Sequence, residues 1–379
     1  MKNRIYKGIA IVIFLICMTG IIWYANQDKP SYTITESTGT EYETAKVLEV
    51  LSDNTSLDED AEDVLKGSMD LKLQLLSGRY KGDICSVTNY FSVLYNVRVE
   101  EGDTVSVRID TTDQGVYSVS IYNYNRMPLM LGLVAVFFLA LVLVGGKQGL
   151  KAFAGLVYTI ICICFILLPL ALKGVSPILL TCIIVFATSG LCFFLIGGIQ
   201  TKTVSAALGS MCGVLLAALL GQLAAAVGGV TTFQMDEAEA LVLAKSSFDL
   251  QVRGLFISGI LIAAMGAVMD IAMSIASALD EVYRVDSRLG WKELFASGMK
   301  IGKDAMGTMS NTLVLAYVGS ALNMMVLIYS YGVSFTQLIN TDFVAIEMIR
   351  AVAGSVGIIG TVPCVALISA LALTRERHR

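Results

Sequence analysis

The stretch GLFISGILIAAMGAVMDIAMSIASAL, residues 254–279, contains a single charged side chain, Asp270. At a rise of ~1.5 Å per residue it is long enough to cross a hydrocarbon core of ~30 Å as one helix. A carboxylate at membrane depth costs ~2.5–3.5 kcal/mol on insertion scales, so we expect it to point at a partner helix or a water-filled cavity. Its side of the helix carries only small residues, namely Gly259, Ala263, Gly266, Ala267, Ser274 and Ser277.

The composition of the whole chain agrees with a membrane protein. Of the 379 residues, 55% are hydrophobic and only 15% are charged, and the mean hydropathy is +0.71. Soluble globular domains do not reach such values. The lipid bilayer is therefore the first predicted partner, and no nucleic-acid partner is predicted.

The reactive side chains give no sign of an enzyme, a cofactor or a metal site. The one histidine, His378, lies in the C-terminal tail, which excludes a serine–histidine mechanism within this chain. Cys162 and Cys164 would point ~200° apart on a helix, so they cannot share one ion. An intramembrane aspartyl protease needs two carboxylates in one site, and only Asp270 sits deep in a span. We predict no catalytic residue, no metal ligand and no cofactor.

The N-terminal segment, residues 1–25, is predicted to be a membrane anchor. Three cations, Lys2, Arg4 and Lys7, precede an apolar run from Gly8 to Tyr24. The run ends without a small-x-small cleavage site, so we expect the anchor to be retained.

Residues 26–126 have a different chemistry and are predicted to form a small β domain. They contain 18 acidic and 9 basic residues, a net charge of 9 − 18 = −9. A solvated acidic loop is expected at 53–63, since its spacing lacks the glycine and closing glutamate of an EF-hand. Alternation and β-branched residues predict about six strands in a barrel or sandwich, at 44–51, 69–76, 84–90, 95–99, 103–109 and 116–122.

The remainder of the chain is predicted to be a seven-helix membrane domain, residues 127–373, followed by a short tail, 374–379. With the anchor, the prediction is an α-helical polytopic membrane protein with eight transmembrane helices, whose β domain is inserted between helices one and two. The seven predicted spans are 127–145, 150–172, 177–199, 204–230, 254–279, 308–330 and 345–373.

The distribution of lysine and arginine predicts the orientation. If the N-terminus is cytoplasmic, the inner loops and ends carry 14 of these residues and the short outer ones carry 4. Cytoplasmic loops are enriched in positive charge. We therefore expect a bacterial plasma-membrane protein with both termini inside and residues 26–126 outside.

The inner loop before the seventh predicted span has helical periodicity of its own. Residues 289–306 place Trp291, Leu294, Gly298 and Gly302 on one side of a helix and the charged residues on the other. This pattern predicts an amphipathic helix at the cytoplasmic surface. A plain linker helix fits the same pattern.

The predicted functional site is a polar cluster around Asp270. The next span begins with GTMSNT, residues 307–312, which would reach a similar depth from the same side. We expect a transport pathway lined by Asp270, Asn311, Ser274 and Thr308, with Lys303 and Asp304 just below it. The alternative is that Asp270 only joins two helices by hydrogen bonds.

A second candidate lies in the last span. Glu347 and Arg350 are three residues apart and are predicted to form an ion pair or an outer gate. Gly354, Gly357, Gly360 and Pro363 follow, so the helix there is predicted to be flexible or interrupted. Close helix packing plus an interfacial ion pair explains the same residues.

Several blocks resemble the YibE/F-like family of bacterial multi-span membrane proteins. They are GILIAAMGAVMDIAMSIASAL, GMKIGKDAMGTMSNTLVLAYVGSAL and EMIRAVAGSVGIIGTVP in the bundle, and AKVLEV, LLSGRYKGD and VEEGDTVSV in the β domain, followed by NYNRMPLMLGL and GGKQGLKAF. The resemblance implies an outer domain plus a helical bundle, but it implies no activity. Some bacteria encode a shorter relative without the outer domain, which suggests a heteromeric partner.

Two functions are compatible with these features. The first is a permease or channel-like component that moves a small solute or ion along Asp270 and Asn311, alone or as a homo-oligomer. The alternative is a non-transporting scaffold or envelope-assembly factor whose β domain binds a partner. Transport requires the charge chemistry of Asp270, whereas a scaffold requires residues 40–122.

Overall fold

The computed structural model describes residues 18–27, 39–58, 64–93, 95–111, 116–198, 200–230 and 251–376. The chain divides into two compact units, Tyr32–Ala140 and Met1–Ser31 with Leu141–Arg379. Of the predicted anchor, residues 1–17 lie outside the described residues, and residues 18–26 are helical (α1).

The smaller unit contains one antiparallel β-sheet. Its strands are β1 (Thr40–Asp53), β2 (Ser56–Leu57), β3 (Leu65–Leu75), β4 (Ile84–Phe91), β5 (Thr104–Thr111) and β6 (Tyr117–Tyr124). The order across the sheet is β4–β3–β1–β5–β6, with β2 added to β3. The edge strands β4 and β6 contact each other, so the sheet curls into a half-barrel.

Alternating side chains fill the interior of this half-barrel. In β3 the residues Met69, Leu71, Leu73 and Leu75 are buried, while the residues between them are partly exposed. Period-two burial is the consequence of the pleat of a strand, whose successive side chains point to opposite faces. The alternation used to predict these strands is thus the pattern that builds their core.

Five of the six predicted strands overlap observed ones to within one residue at their ends or lie inside them, and the segment 95–99 does not. Its Val97 and Val99 are buried, but the carbonyl oxygen of Val97 accepts a hydrogen bond of 2.8 Å from the side-chain amide of Asn89 rather than a ladder bond. The remaining observed strand, β2 (Ser56–Leu57), lies inside the predicted acidic loop 53–63. Residues 59–63 of that loop lie outside the described residues.

The larger part of the chain is helical. Its elements are α2 (Met127–Cys162), a π-helical turn (Ile163–Leu167), α3 (Leu168–Leu172), α4 (Pro177–Gly197), α5 (Thr201–Val227), α6 (Val252–Val285), α7 (Trp291–Ser320), α8 (Leu322–Ser330), α9 (Phe335–Ile339) and α10 (Asp342–Glu376). Within the described residues, five helices, or six if the bent pair α7–α8 forms one span, are long and apolar enough to cross a membrane. Eight spans were predicted.

Part of that difference lies in α2, where two spans were predicted at 127–145 and 150–172. The chain from Met127 to Leu172 counts as one apolar helical segment, but Gly146 interrupts it with φ 54° and ψ −130°. A Cβ added to Gly149 would collide with the carbonyl oxygen of Leu141. A straight helix would hold these two residues about 12 Å apart along its axis. The backbone therefore bends sharply at the predicted connection, where glycine tolerates the positive φ.

The helix α10 lies at the centre of the bundle. It packs against α5, α6 and α7, while α4 packs against α5 and α6. Its residues Ile358, Val362, Val365 and Ala366 are at most 1% exposed. α10 therefore fixes the positions of the helices that carry the candidate site.

The helix α7 differs from the prediction of a surface helix followed by a separate span. It runs without a break from Trp291 to Ser320, and the bend of 56° comes before α8. The hydroxyl groups of Thr308 and Thr312 donate to the carbonyl oxygens of Ala305 and Thr308, each over 2.9 Å. These intrahelical bonds keep the polar segment GTMSNT within the helix.

Candidate functional site

Asp270 lies on the one side of α6 that its neighbours leave uncovered. The core of α6 is almost fully buried, with Ile260, Leu261, Val268, Ile271 and Ile275 at most 1% exposed. Between Gly254 and Leu279 the exposed residues form a single stripe that consists of Gly259, Ala263, Gly266, Asp270 and Ser274. We call this stripe the Asp270 face.

Open space lies above this face within the single chain. A Cβ added to Gly259 or to Gly266 would meet no atom within 4 Å. No hydrogen bond or ion pair joins Asp270 to another residue in the part of the chain that the structure describes. Among the described residues, Asp270 therefore makes no hydrogen bond to a second helix of the kind that the alternative explanation requires.

The helix α7 packs on the opposite side of α6. A Cβ on Gly298 would lie 2.9 Å from Cδ1 of Leu279, and one on Gly302 would lie 3.0 Å from Cδ1 of Ile275. Leu279 follows Asp270 by nine positions, which is about two and a half helical turns. The contact with α7 is thus made about 180° from the Asp270 face.

Asn311 shows the same relationship on α7. It follows the buried Gly302 by nine positions, so it points away from the side of α7 that packs against α6 and α10. Asp304, Gly307, Thr308 and Asn311 are all exposed. Their stripe is called the Asn311 face.

The structure therefore separates the predicted cluster into two groups within one chain. Ser274 accompanies Asp270, whereas Thr308 accompanies Asn311 on a different helix and a different side of the pair. Lys303 and Asp304 are exposed, and neither forms an ion pair within the described residues. The sequence predicted that these side chains lie at a similar depth in the membrane. Because α7 packs through Gly298 and Gly302, the two groups instead point in different directions.

The second candidate, in α10, is an ion pair. Arg350 Nη1 lies 2.5 Å from Glu347 Oε1, and the two side chains are 23% and 15% exposed. The guanidinium also lies 5.6 Å from the centre of the Phe256 ring. The second carboxylate oxygen of Glu347 is buried and has no hydrogen-bond partner within the described residues.

The glycines of α10 make close contacts, and the helix continues through Pro363. An added Cβ would lie 2.7 Å from Leu313 Cδ2 at Gly354 and 2.8 Å from Ala217 Cβ at Gly357. At Gly360 it would collide with Leu216. These contacts favour the packing explanation over an interrupted helix.

Sequence reasoning did not identify a charged cluster at the end of α6. Asp280 Oδ2 lies 3.4 Å from Lys202 Nζ and 3.1 Å from Arg284 Nη2. Its side chain is 16% exposed. The i, i+4 spacing of Asp280 and Arg284 was a usable signal, but the predicted span ended one residue earlier.

The described residues contain no group of three or more histidine, cysteine, aspartate and glutamate side chains that could hold a metal ion. Those residues offer polar helix faces and ion pairs.

Comparison with known proteins assigns the chain to a family. The model of the YibE/F-like protein family matches residues 133–375, and that of the YibE/F family N-terminal domain matches residues 39–124. No curated protein and no solved structure matches the chain. The two matched ranges correspond to the helical bundle and the half-barrel, and together they cover most of the sequence. The chain, with its several apolar helices, belongs to the YibE/F-like family and is a multi-pass membrane protein.

Proposed function

We propose that this protein is a permease or channel-like component that moves a small solute or ion along the Asp270 face of α6. In this proposal it resides in the bacterial plasma membrane, with both termini in the cytoplasm and the half-barrel on the outer side. The cation asymmetry between the loops supports that orientation.

The observation that carries the proposal is the position of Asp270. It lies 16 residues after Gly254, or about 24 Å along the axis, in a helix that is packed on its remaining sides. An ionisable side chain at such a depth normally faces a protein interior or a water-filled cavity. Its open surroundings supply room for water, and its small neighbours leave that room unobstructed.

A route along this face needs a second wall, and we propose that another copy of the chain provides it. The Asp270 face and the Asn311 face are both polar and uncovered, and they point in different directions. Contact between the Asp270 face of one copy and the Asn311 face of the next would cover both surfaces. Such head-to-tail contacts close into rings when the rotation permits.

Flux through reconstituted protein tests the function. Liposomes that contain a pH-sensitive dye report proton movement, and parallel samples with sodium or potassium gradients report the two cations. We expect flux of at least one of these ions with the wild type, none with Asp270→Asn, and partial flux with Asp270→Glu. Glu49→Gln, an exposed acid on β1 of the half-barrel, is the control and should retain wild-type flux.

The result that contradicts the proposal is wild-type flux through a folded Asp270→Asn protein. Absence of flux from the wild type under all three gradients would also count against it. If Asp270→Asn fails to fold, the retention of flux by Asp270→Glu still distinguishes a charge requirement from a packing requirement.

One observation favours the scaffold as a second candidate function. Aromatic side chains lie exposed on the outside of the half-barrel, where Tyr42 and Tyr122 are 55% and 48% exposed and meet edge to face with ring centres 4.8 Å apart. Exposed tyrosines are common at protein-binding surfaces. If the protein is a scaffold, the double variant Tyr42→Ser with Tyr122→Ser should abolish its function in cells, whereas Asp270→Asn should retain that function.

A further inference from the structure

A cavity of about 490 Å³ lies where the last turn of α10 meets the connection between α6 and α7. Its lining includes Arg288, Trp291, Leu371, Thr374 and Arg375. The apolar span of α6 ends at Val285 and that of α10 ends at Arg375. The cavity is therefore located at the level where a membrane-spanning bundle meets lipid head groups.

The cavity has two guanidinium groups that are not neutralised by the described residues. Neither Arg288 nor Arg375 forms an ion pair there. The acids nearest Arg288 in sequence are engaged by backbone N–H groups, since Arg288 N donates to Asp286 Oδ1 over 3.0 Å and Gly290 N donates to Glu293 Oε2 over 2.8 Å. The site is therefore suited to an anion that brings its own negative charge.

The remaining lining is apolar and open to the surroundings. Trp291 is 43% exposed and Leu371 is 47% exposed. Trp side chains are enriched at membrane interfaces, where the ring contacts the upper acyl region and head groups. A ligand of matching chemistry has a phosphate for the two arginines and a hydrocarbon portion beside Trp291 and Leu371.

We propose that this cavity binds the head group of an anionic phospholipid from the surrounding bilayer. Arginine pairs with phosphate through two parallel hydrogen bonds, which gives both strength and orientation. Basic pockets between helices at the membrane surface are suited to anionic head groups. The bound lipid would hold the end of α10 against the start of α7, and this inference does not depend on the proposed transport.

A neighbouring cavity provides an internal comparison. It has a volume of about 660 Å³ and is lined by Gln200, Asp280 and Arg284 among others. Here the arginine has an acidic partner, because Arg284 Nη2 lies 3.1 Å from Asp280 Oδ2, an acid that it shares with Lys202. We therefore expect this cavity to contribute little to the preference for an anionic lipid.

The test uses the full-length protein in detergent and native mass spectrometry with two lipids of equal chain length. The probes are phosphatidylglycerol, phosphatidylcholine and, as a free head group, glycerol phosphate. We expect the wild type to retain phosphatidylglycerol in preference to phosphatidylcholine. The double variant Arg288→Gln with Arg375→Gln should weaken phosphatidylglycerol binding by about tenfold or more.

Two further variants distinguish binding at a specific site from a general effect of positive charge and from a loss of folding. Arg284→Gln removes the paired arginine of the second cavity and should leave phosphatidylglycerol binding nearly unchanged. Arg288→Lys with Arg375→Lys keeps the charges and should bind more tightly than the glutamine pair. The inference is overturned if Arg284→Gln weakens binding as much as the double glutamine variant, if the two lipids bind equally, or if glycerol phosphate displaces the lipid completely.

Discussion

Gly213 of α5 and Gly357 of α10 meet backbone to backbone. A Cβ on Gly213 would lie 2.7 Å from the carbonyl oxygen of Gly357, and one on Gly357 would lie 2.9 Å from that of Gly213. Each glycine therefore provides the space that the other helix occupies. Small residues permit such close approach in membrane helices, where packing rather than burial from water drives association.

This contact predicts that Gly357→Ala destabilises the bundle. The added methyl group would also lie 2.8 Å from Ala217 Cβ, and overpacking of this kind costs about 1–3 kcal/mol. The measurement is the thermal unfolding temperature of the detergent-purified protein. Gly307→Ala is the matched control, because its Cβ would meet no atom within 4 Å, and it should be neutral or slightly stabilising. Equal unfolding temperatures for the two variants would contradict this packing.

The ion pair of α10 gives a second prediction. Arg350→Gln leaves the Glu347 carboxylate without its partner at a site where that side chain is 15% exposed, and breaking a buried pair costs about 3–5 kcal/mol. We expect a lower unfolding temperature for Arg350→Gln than for the double variant Glu347→Gln with Arg350→Gln. Additive losses from the two substitutions would show that the pair contributes no interaction energy.

The half-barrel gives a prediction about pH. The hydroxyl of Tyr117 donates a hydrogen bond of 2.8 Å to Asp83 Oδ2, and this bond, followed by burial, raises the pKa of Tyr117 to about 12. Because the folded state favours the neutral phenol, the stabilisation is present below the ordinary tyrosine pKa of about 10 and is lost as the pH rises through about 12.

Ultraviolet absorbance of tyrosinate measures this difference. We expect the wild-type titration minus that of Tyr117→Phe to show one tyrosine that ionises near pH 12. Asp83→Asn removes the negative acceptor and should move that ionisation to lower pH. An ionisation of Tyr117 that does not respond to Asp83→Asn would rule out the hydrogen bond as its cause.

Local patterns in the sequence predicted much of the fold. Alternation located β1 and β3, and long apolar runs located α4, α5, α6 and α10. The Asp270 face was also visible, because its small residues recur at helical spacing. The segment 95–99 was misassigned as a strand because its buried valines satisfy the alternation, while the amide of Asn89 takes up the carbonyl of Val97.

The candidate site was less predictable because sequence gives the depth of a residue but not the direction in which its helix is turned. The sequence predicted similar depths for Asp270 and Asn311, but α7 contacts α6 through Gly298 and Gly302. The spacing of Gly298 and Gly302 was the sequence signal that could have identified the side of α7 that packs against α6. Counting nine positions from Gly302 to Asn311 would have placed the amide on the opposite side of α7.

The central claim is that water reaches the Asp270 face, and cysteine labelling in intact membranes tests it most directly. Ala263→Cys lies on that face, whereas Ala264→Cys is the matched neighbour at a position that is 0% exposed. A charged, membrane-impermeant thiol reagent is applied, and labelling of the wild-type cysteines is subtracted. The account predicts labelling of Ala263→Cys, and of Ser274→Cys on the same face, with none at Ala264→Cys. Folded Ala263→Cys and Ser274→Cys proteins that label no more than Ala264→Cys would contradict it.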